Sequence, residues 1–260
     1  MDAPNVLRHN AIAWDTECEN KGEWSRPVNA EVIANARRGE WQVILTPNRA
    51  VPRKWFGELK GRNVLCLASG GGQQGPILSA AGANVTVFDQ SPKQLDCDRL
   101  VAERESLDMQ LVRGDMADLS TFDDETFDVI FHPVSNCFAP NVRPVWKEAF
   151  RVLRPQGVLM AGFHNPVFYM FDPKRDEQGT LAVKHSLPYS DLTRWKQEGI
   201  ELSAEKGEMF EFGHLLTDQI GGQIDAGFLI AGFYEDYWSD EATNLNKYMP
   251  TFIATLALKP

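Results

Sequence analysis

Residues 64–75 read Val-Leu-Cys-Leu-Ala-Ser-Gly-Gly-Gly-Gln-Gln-Gly, a short apolar run that ends in a cluster of glycines. A second apolar run over residues 84–88 is followed directly by Asp89. This pattern predicts a buried strand, a tight turn, a helix and a second strand with a carboxylate at its end. Glycines let the backbone approach a ligand closely, and the start of a helix points unpaired N–H groups at it. The stretch therefore predicts a site for an adenosine-containing cofactor, in which Asp89 would accept the two ribose hydroxyls.

The composition is that of an ordinary globular chain with an acidic surplus. With 260 residues, the chain is long enough for one large α/β domain with additions. The net charge of −10 weighs against a nucleic-acid partner, because binding phosphates requires a concentrated basic surface. No apolar run approaches the roughly 18 residues of a membrane span, and the first residues lack the features of a signal peptide. We expect neither nucleic acid nor a membrane as a partner, and the oligomeric state stays open.

The four cysteines are scattered and show no Cys-x-x-Cys spacing. They are Cys18, Cys66, Cys97 and Cys137. A zinc site or a disulfide framework would require closer or more regular spacing. The cysteines therefore predict reduced thiols in a cytoplasmic protein.

The sequence pattern divides the chain into two parts. Residues 1–60 are rich in tryptophan, lack the alternation typical of strands and predict a helical segment that acts as a lid. Over residues 61–260, strands alternate with helices, which predicts a parallel sheet with right-handed crossovers. Residues 165–215 break this rhythm and predict an insertion on the substrate side of the sheet.

Seven stretches have the length and apolar character of strands. They are residues 64–68, 85–88, 109–113, 127–131, 158–163, 228–234 and 250–258. Helices are predicted over residues 29–38, 47–59, 73–81, 145–153 and 218–226 and after Ser91, which is a strong N-cap because proline follows it. Gly157 is expected to cap the helix before the fifth strand. The last connection is too short for a helix, so the final two strands are predicted to pair antiparallel.

Two histidines follow predicted strands at the edge where open α/β sheets bind ligands. His132 follows the fourth strand, and His164 follows the fifth. Because neighbouring strands lie about 5 Å apart, both rings could face one pocket and take a proton from an attacking nucleophile. The alternative is that the local backbone satisfies each ring. A metal site would need a further ligand such as His185 or His214, but no ligand spacing occurs, so none is predicted.

The order of these motifs resembles that of class I S-adenosylmethionine-dependent methyltransferases, of the small-molecule type with a methyltransferase-11-like core. The matching features are the glycine loop, Asp89, Gly114-Asp115-Met116, the strand at 127–131, the stretch at 151–159 and the terminal antiparallel pair. The resemblance covers roughly residues 61–165 and 217–260. It implies a Rossmann-like, doubly wound, mostly parallel seven-stranded sheet, with S-adenosylmethionine as the cofactor. It also implies methyl transfer by in-line displacement to an oxygen, nitrogen or other nucleophile of a small molecule.

The resemblance also implies roles for individual residues. Asp115 would accept a hydrogen bond from the adenine amino group, and Met116 would pack near the ring. The alternatives are a turn residue for Asp115 and a core filler for Met116. The predicted cofactor-binding residues are Ala68, Ser69, Gly70, Gly72, Gln73, Gln74, Asp89, Gln90, Asp115, Met116 and His132.

Two residues of the loop depart from the family pattern. Cys66 stands where the family usually has an acid that is associated with the amino end of the cofactor, and Ala68 stands where it usually has a glycine. Backbone carbonyls of the loop would then hold the ammonium group. Gln73 and Gln74 are predicted to add side-chain contacts that a more typical loop lacks.

Aromatic residues outside the core pattern are candidates for the substrate pocket. Trp14, Trp24 and Tyr169 are predicted to shape this pocket or to shield the sulfonium by cation–π contact, and burial in the core is the alternative.

Two other functions would use the same glycines. Gly70, Gly72 and Gly75 match the Gly-x-Gly-x-x-Gly fingerprint of an NAD(P)-dependent oxidoreductase. Such an enzyme would need a catalytic Tyr-x-x-x-Lys or an equivalent, which does not occur in a suitable place. A protein that binds S-adenosylmethionine without catalysis is the third possibility.

Overall fold

The computed structural model describes residues 5–199, 201–239 and 241–260. The helices are α1 (Val6–Glu19), α2 (Ala30–Arg37), α3 (Gln74–Ala80), α4 (Pro92–Glu105), α5 (Arg143–Val152), α6 (Pro173–Glu177), α7 (Asp191–Glu198) and α8 (Leu216–Ala226). The strands are β1 (Asn63–Leu67), β2 (Asn84–Asp89), β3 (Met109–Arg113), β4 (Phe127–His132), β5 (Leu153–His164), β6 (Tyr189–Ser190), β7 (Phe212–Gly213), β8 (Leu229–Asp236) and β9 (Phe252–Leu258).

Seven strands form one sheet in the order β3-β2-β1-β4-β5-β9-β8. The first five strands run parallel, and β9 is antiparallel to both of its neighbours, β5 and β8. The predicted mostly parallel, seven-stranded sheet with an antiparallel terminal strand is therefore confirmed. The carboxyl ends of β1 to β5 and the start of β9 meet at one edge of the sheet, because His164 pairs with Phe252.

The strands are buried on both faces, as expected of a parallel sheet. In β1, Val64 and Cys66 point into one core cluster, and Leu65 and Leu67 point into the other. Helix α3 and residues before β1 cover the first face, whereas α5 and α8 cover the second. This central position of β1 places the glycine loop near the middle of the sheet edge.

Helix α4 begins where the sequence predicts. The Ser91 hydroxyl accepts a hydrogen bond from the Gln94 N–H (3.1 Å), and it donates one to the Asp15 carboxylate of α1 (2.6 Å). The N-cap therefore ties α1 to the segment that follows β2.

Two local predictions are wrong. Gly157 lies inside β5 and caps no helix, because the chain becomes extended at Leu153, directly after α5. Residues 47–59 form only a short 3₁₀ turn, Arg53–Trp55, where a helix was predicted.

The N-terminal residues and the insertion meet above the sheet edge. Asn10 of α1 is fully buried; its side-chain oxygen accepts the Phe210 N–H (2.8 Å) and its amide donates to the Phe210 carbonyl (3.0 Å). The same amide lies 3.3 Å from the Phe138 carbonyl, which follows β4. One buried side chain thus joins three segments that are distant in the sequence.

Candidate active site

A cavity of about 330 Å³ opens at the carboxyl edge of the sheet. On one side it is lined by the loops that follow β1, β2 and β3, which we call the cofactor half. On the other side it is lined by residues of α1, of the turn after β4, of the end of β5, of the insertion and of the β8–β9 edge, which we call the acceptor half.

Asp89 is at the centre of the cofactor half. Its two carboxylate oxygens accept backbone hydrogen bonds, Oδ2 from Gly70 (3.0 Å) and Oδ1 from Ser91 (2.9 Å). Burial raises the pKa of this carboxyl, and the backbone donors oppose the rise. The Gln90 N–H also donates to this carboxyl. Three donors leave at least one of the roughly four acceptor positions of the carboxylate for a ribose hydroxyl.

The glycines of the loop are required by close packing as well as by access for a ligand. A Cβ atom at Gly70 would lie 2.7 Å from the Gln94 Cβ, and one at Gly72 would lie 2.7 Å from the Cys97 carbonyl oxygen. Gly72 also accepts a hydrogen bond from the Val28 N–H (2.9 Å). The backbone of Gly72 therefore serves the contact between the loop and the N-terminal residues.

A buried carboxylate that sequence reasoning missed lies beneath the loop. Asp98 of α4 is fully buried, and its Oδ2 accepts the Gly71 N–H (3.0 Å), with a further contribution from the Gly72 N–H. Its charge contributes to raising the pKa of Cys66, the residue that replaces the usual acid of the family. Asp98 thus supplies a carboxyl group to the loop from a different element, and no local sequence motif predicts it.

The second departure, Ala68, adopts a left-handed conformation with φ +47°. This conformation costs an alanine roughly 1 kcal/mol or more, whereas glycine adopts it freely. The position retains the backbone shape for which the family uses glycine.

Gln73 and Gln74 bind the protein itself. The Gln73 amide donates to the carbonyls of Glu23 (2.9 Å) and Arg26 (3.2 Å), and Gln74 Oε1 accepts the Ile44 N–H (3.1 Å). Both residues line the cavity, but their bonded atoms attach the N-terminal residues to the loop.

The turn after β3 contributes an apolar surface. Gly114 and Met116 line the cavity, and a Cβ at Gly114 would lie 2.1 Å from the Phe88 ring. Asp115 lies between them, is absent from the described lining residues, and its Oδ1 accepts the Ala117 N–H (3.0 Å). Asp115 therefore stabilises the turn that places Met116 in the lining of the cavity.

The two candidate histidines have different surroundings. His132 is fully buried, is not among the described lining residues, and its Nδ1 lies 2.9 Å from the Leu67 carbonyl. Burial lowers its pKa to about 4. His164 does line the cavity, and burial lowers its pKa to about 3. The structure therefore brings one of the two rings, His164, to the cavity.

Aromatic side chains surround His164. The ring centroids of Phe252, Phe168 and Trp238 lie 4.6, 5.2 and 5.7 Å from its own. Tyr169, predicted to bind substrate, lies behind His164, with its hydroxyl 2.7 Å from Nδ1 and 2.9 Å from Glu211 Oε2. Glu211 lines the cavity, and sequence reasoning missed it because the insertion has no periodic pattern.

Most of the other predicted residues line the same cavity. The lining residues that were predicted are Trp14, Trp24, Ala68, Ser69, Gly70, Gln73, Gln74, Asp89, Gln90, Met116 and His164. Those that were predicted and lie outside the described lining are Gly72, Asp115, His132 and Tyr169. Among the described residues, no group of three or more potential metal ligands is close enough to hold an ion.

Comparison with known proteins gives the family. The family model described as "Methyltransferase domain" matches residues 65–161. The chain is 51% identical over 254 residues to the protein called uncharacterized methyltransferase YbaJ of Bacillus subtilis (strain 168), with 98% of each chain covered. The chain belongs to this methyltransferase family.

Solved structures show the same fold at lower identity. An S-adenosylmethionine-dependent methyltransferase from Mesorhizobium loti matches this chain with a TM-score of 0.60 and 17% identity, over 79% of this chain and 94% of that one. The [4+2]-cyclase SpnF matches with a TM-score of 0.62 and 14% identity, over 99% of this chain and 98% of that one. Likeness at this level concerns the fold alone, since one fold hosts different reactions.

S-adenosylmethionine is the cofactor of this methyltransferase, and the cofactor half fits it. When bound, this cofactor supplies a methyl group on a sulfonium, which is activated for direct displacement. Asp89 presents its carboxylate to the cavity, and the buried Ser69 hydroxyl has no hydrogen-bond partner among the described residues. Membership of the methyltransferase family excludes the nicotinamide-dependent alternative.

Within the described ranges, no helix has the length and apolar character needed to cross a membrane.

Proposed function

We propose that this methyltransferase transfers the methyl group to a small molecule that is held in the acceptor half, with His164 as the general base. The observation that carries this proposal is the covered cavity. Its volume of about 330 Å³, which the cofactor and the acceptor share, is at the low end of the range of small-molecule sites, and α1 and the insertion meet above it through Asn10. A polymer would need an open groove across the sheet edge.

The cofactor half supports specific roles for the predicted residues. Asp89 would bind the ribose hydroxyls, Ser69 and the backbone of Gly70 would contact the polar tail, and Met116 would pack against the adenine. These roles agree with the positions of Asp89 and of Ser69, whose hydroxyl has no hydrogen-bond partner among the described residues, in the lining of a cavity that also has an apolar surface.

The surroundings of the two histidines favour His164 over His132 as the base. The His132 Nδ1 is bonded to the Leu67 carbonyl and its ring packs edge-on against Trp146 (5.9 Å between centroids), so this ring supports the ends of β1 and β4. His164 reaches the cavity from β5, two strands from β1 and hence about 10 Å away from it. That separation leaves room for the transferred methyl group and an acceptor between the cofactor loop and the ring.

The N-terminal residues would act as the lid. Trp14 and Trp24 line the cavity, and Trp14 packs edge-on against Phe138 at 5.3 Å between centroids.

A cytoplasmic location stays a prediction, supported by the four free thiols, because reducing compartments keep cysteines in that state. Fractionation of cells that express the tagged protein tests it.

The experiment offers S-adenosylmethionine with a labelled methyl group together with small phenols, carboxylic acids, amines and thiols, and separately with bulk RNA and protein. We expect label in the small-molecule fraction, and a lower rate for Asp89→Asn at subsaturating cofactor. Asp96→Asn, on the exposed side of α4, is the matched control. Label that enters only RNA or protein would overturn the small-molecule acceptor. Binding of S-adenosylhomocysteine without any label transfer would favour a protein without catalysis.

A further inference from the structure

A chain of three hydrogen-bonding side chains leads from the cavity into the insertion. His164 Nδ1 lies 2.7 Å from the Tyr169 hydroxyl, which lies 2.9 Å from Glu211 Oε2. Tyr169 is buried, and the three residues come from β5, from the turn after it and from the residue before β7. Neither the covered cavity nor a role of His164 as a base accounts for this row of hydrogen-bonded side chains.

The chain fixes the position of the protons. An ionised Glu211 only accepts hydrogen bonds, so the Tyr169 hydroxyl donates to it. The Tyr169 oxygen then accepts from His164, which requires the proton of a neutral imidazole to be on Nδ1. Nε2 is left with its lone pair, on the ring that lines the cavity.

We propose that Tyr169 and Glu211 are positioning residues that hold His164 in the Nδ1–H tautomer, and that the acceptor is a neutral, flat molecule with a phenolic or enolic hydroxyl. The inference rests on the proposed small-molecule methyl transfer and adds the acceptor class to it.

The charge of Glu211 would favour His164 at the moment when the ring takes a proton. His164 is enclosed by aromatic rings, and burial lowers its pKa to about 3, so the ring is neutral and ready to accept a proton from the acceptor. A carboxylate at the far end of the chain stabilises the imidazolium that forms, because attraction between charges is strong in a dry interior. Tyr169 transmits this effect through its hydroxyl while it fixes the orientation of the ring.

The proposed methyl transfer forms one bond to the acceptor oxygen and breaks one bond to sulfur. The acceptor oxygen bonds to the methyl carbon, and the carbon–sulfur bond breaks with its electron pair going to sulfur. The hydroxyl proton moves to His164 Nε2 and later leaves to solvent. The products are a methyl ether, S-adenosylhomocysteine and a proton.

The lining of the cavity selects the acceptor. Among the described residues, the lining side chains include the carboxylates Glu17, Asp89 and Glu211 and no lysine or arginine, so an anionic acceptor would find no counterion. The aromatic walls of the acceptor half suit a flat apolar body. An alkylammonium would pair with Glu211 and bring no lone pair to the methyl carbon. A neutral hydroxyl that donates to Nε2 needs no counterion, and its oxygen keeps a lone pair for the methyl carbon.

The pH dependence follows from Glu211. Burial raises its pKa to about 7, and nearby Asp191 adds to the rise. Burial raises the pKa values of Tyr169 and Cys137, which also lie around it, well above their usual range, and His164 lies beyond Tyr169. On the side of Asp191, Tyr189 and Arg194 bind the Asp191 carboxylate. Glu211 is therefore the group of this cluster that titrates near neutrality, and the methyl-transfer rate should rise with pH as it loses its proton.

The first test observes the tautomer without an acceptor. Protein with ¹⁵N-labelled histidine and bound S-adenosylhomocysteine is studied by long-range ¹H–¹⁵N NMR at pH 8, with His164→Gln to assign the signal. We expect the Nδ1–H tautomer in the unmodified protein and a mixture in Tyr169→Phe. The control, Tyr234→Phe, removes a different tyrosine hydroxyl, on β8. An Nε2–H tautomer in the unmodified protein would overturn the proposed chain.

The second test uses pairs of flat acceptors that differ only in the nucleophile, a phenol against the matching N,N-dimethylaniline and aniline. We expect methyl ethers, a rate that rises through about pH 7, and loss of that rise in Glu211→Gln but not in the exposed control Glu205→Gln. Products methylated at nitrogen or carbon, with none at oxygen, would overturn the acceptor class. Ether formation with the same pH profile in Glu211→Gln would overturn the role of Glu211. No labelled small molecule at all, with the predicted tautomer present, would locate the failure in the proposed function.

Discussion

The two halves of the cavity are built in different ways. The cofactor half comes from one continuous stretch, the ends of β1, β2 and β3, and its main interactions join carboxylates to backbone N–H groups, as at Asp89 and Asp98. The acceptor half collects side chains that range from Trp14 to Phe252, and its main interactions join one side chain to another.

This difference separates two tasks. In the cofactor half the backbone supplies one partner of each main interaction, so this half can persist as long as the few acidic side chains that complete these interactions are kept. Side chains from distant segments can be exchanged without disturbing the sheet, so the acceptor half can change its specificity. Substitutions in the two halves should therefore have separable effects.

The largest expected effect belongs to the acceptor half. His164→Gln keeps a polar side chain and removes the base, so we expect methyl transfer to fall by about a hundredfold or more at saturating cofactor. Steady-state rates measured with an acceptor that the unmodified enzyme uses check this. A fall of less than about threefold would mean that His164 is not the base.

The next effect belongs to the cofactor half. Asp98→Ala removes one of the two acceptors of the Gly71 N–H, which also lies 3.1 Å from the Gln94 carbonyl. Losing this hydrogen bond costs about 1 kcal/mol, so binding of S-adenosylhomocysteine should weaken by about fivefold. Asp96→Ala on the exposed side of the same helix should have little effect. Adding Cys66→Asp to Asp98→Ala should restore part of the affinity. Unchanged affinity in Asp98→Ala, measured by calorimetry, would contradict its role in positioning the loop.

A smaller effect concerns stability and pH. Burial raises the pKa of Asp98 to about 8, so between pH 4 and 8 the folded protein holds a proton that the unfolded chain releases. This contribution to the free energy of unfolding therefore falls as pH rises through that window. Asp98→Asn should reduce the decline between pH 5 and pH 8 by on the order of 1 kcal/mol, as measured by urea unfolding. An identical decline in the variant would show that Asp98 does not titrate there.

The smallest effect tests the strained residue of the loop. Ala68→Gly relieves the left-handed conformation at φ +47° but gains chain entropy when unfolded, so we expect a net stabilisation of about 0.5 kcal/mol. Thermal unfolding measures it, and affinity for S-adenosylhomocysteine should not fall. A destabilised variant would show that the alanine methyl group makes a contact worth more than the strain.

The sequence predicted the cofactor half better than the acceptor half, for a physical reason. Strand length, glycine turns and the Ser91 cap are local signals, and they placed β1 to β5 and Asp89 correctly. Tyr169 was singled out but its contact with Glu211 was not, because the two are 42 positions apart and only the folded insertion brings them together. The sequence did not predict a role for Asp98, because an acidic residue on a helix is usually exposed and only the position of the neighbouring loop shows that this one is buried.

Calorimetric titration of S-adenosylhomocysteine into the unmodified protein, Asp89→Asn and His164→Gln tests the division of the cavity most directly. We predict that Asp89→Asn weakens binding by about tenfold or more, which is about 1.4 kcal/mol, because it removes charge from the proposed acceptor of the ribose hydroxyls. We predict that His164→Gln binds within about twofold of the unmodified protein. Equal losses in both variants, or a loss in His164→Gln alone, would contradict the assignment of the two halves.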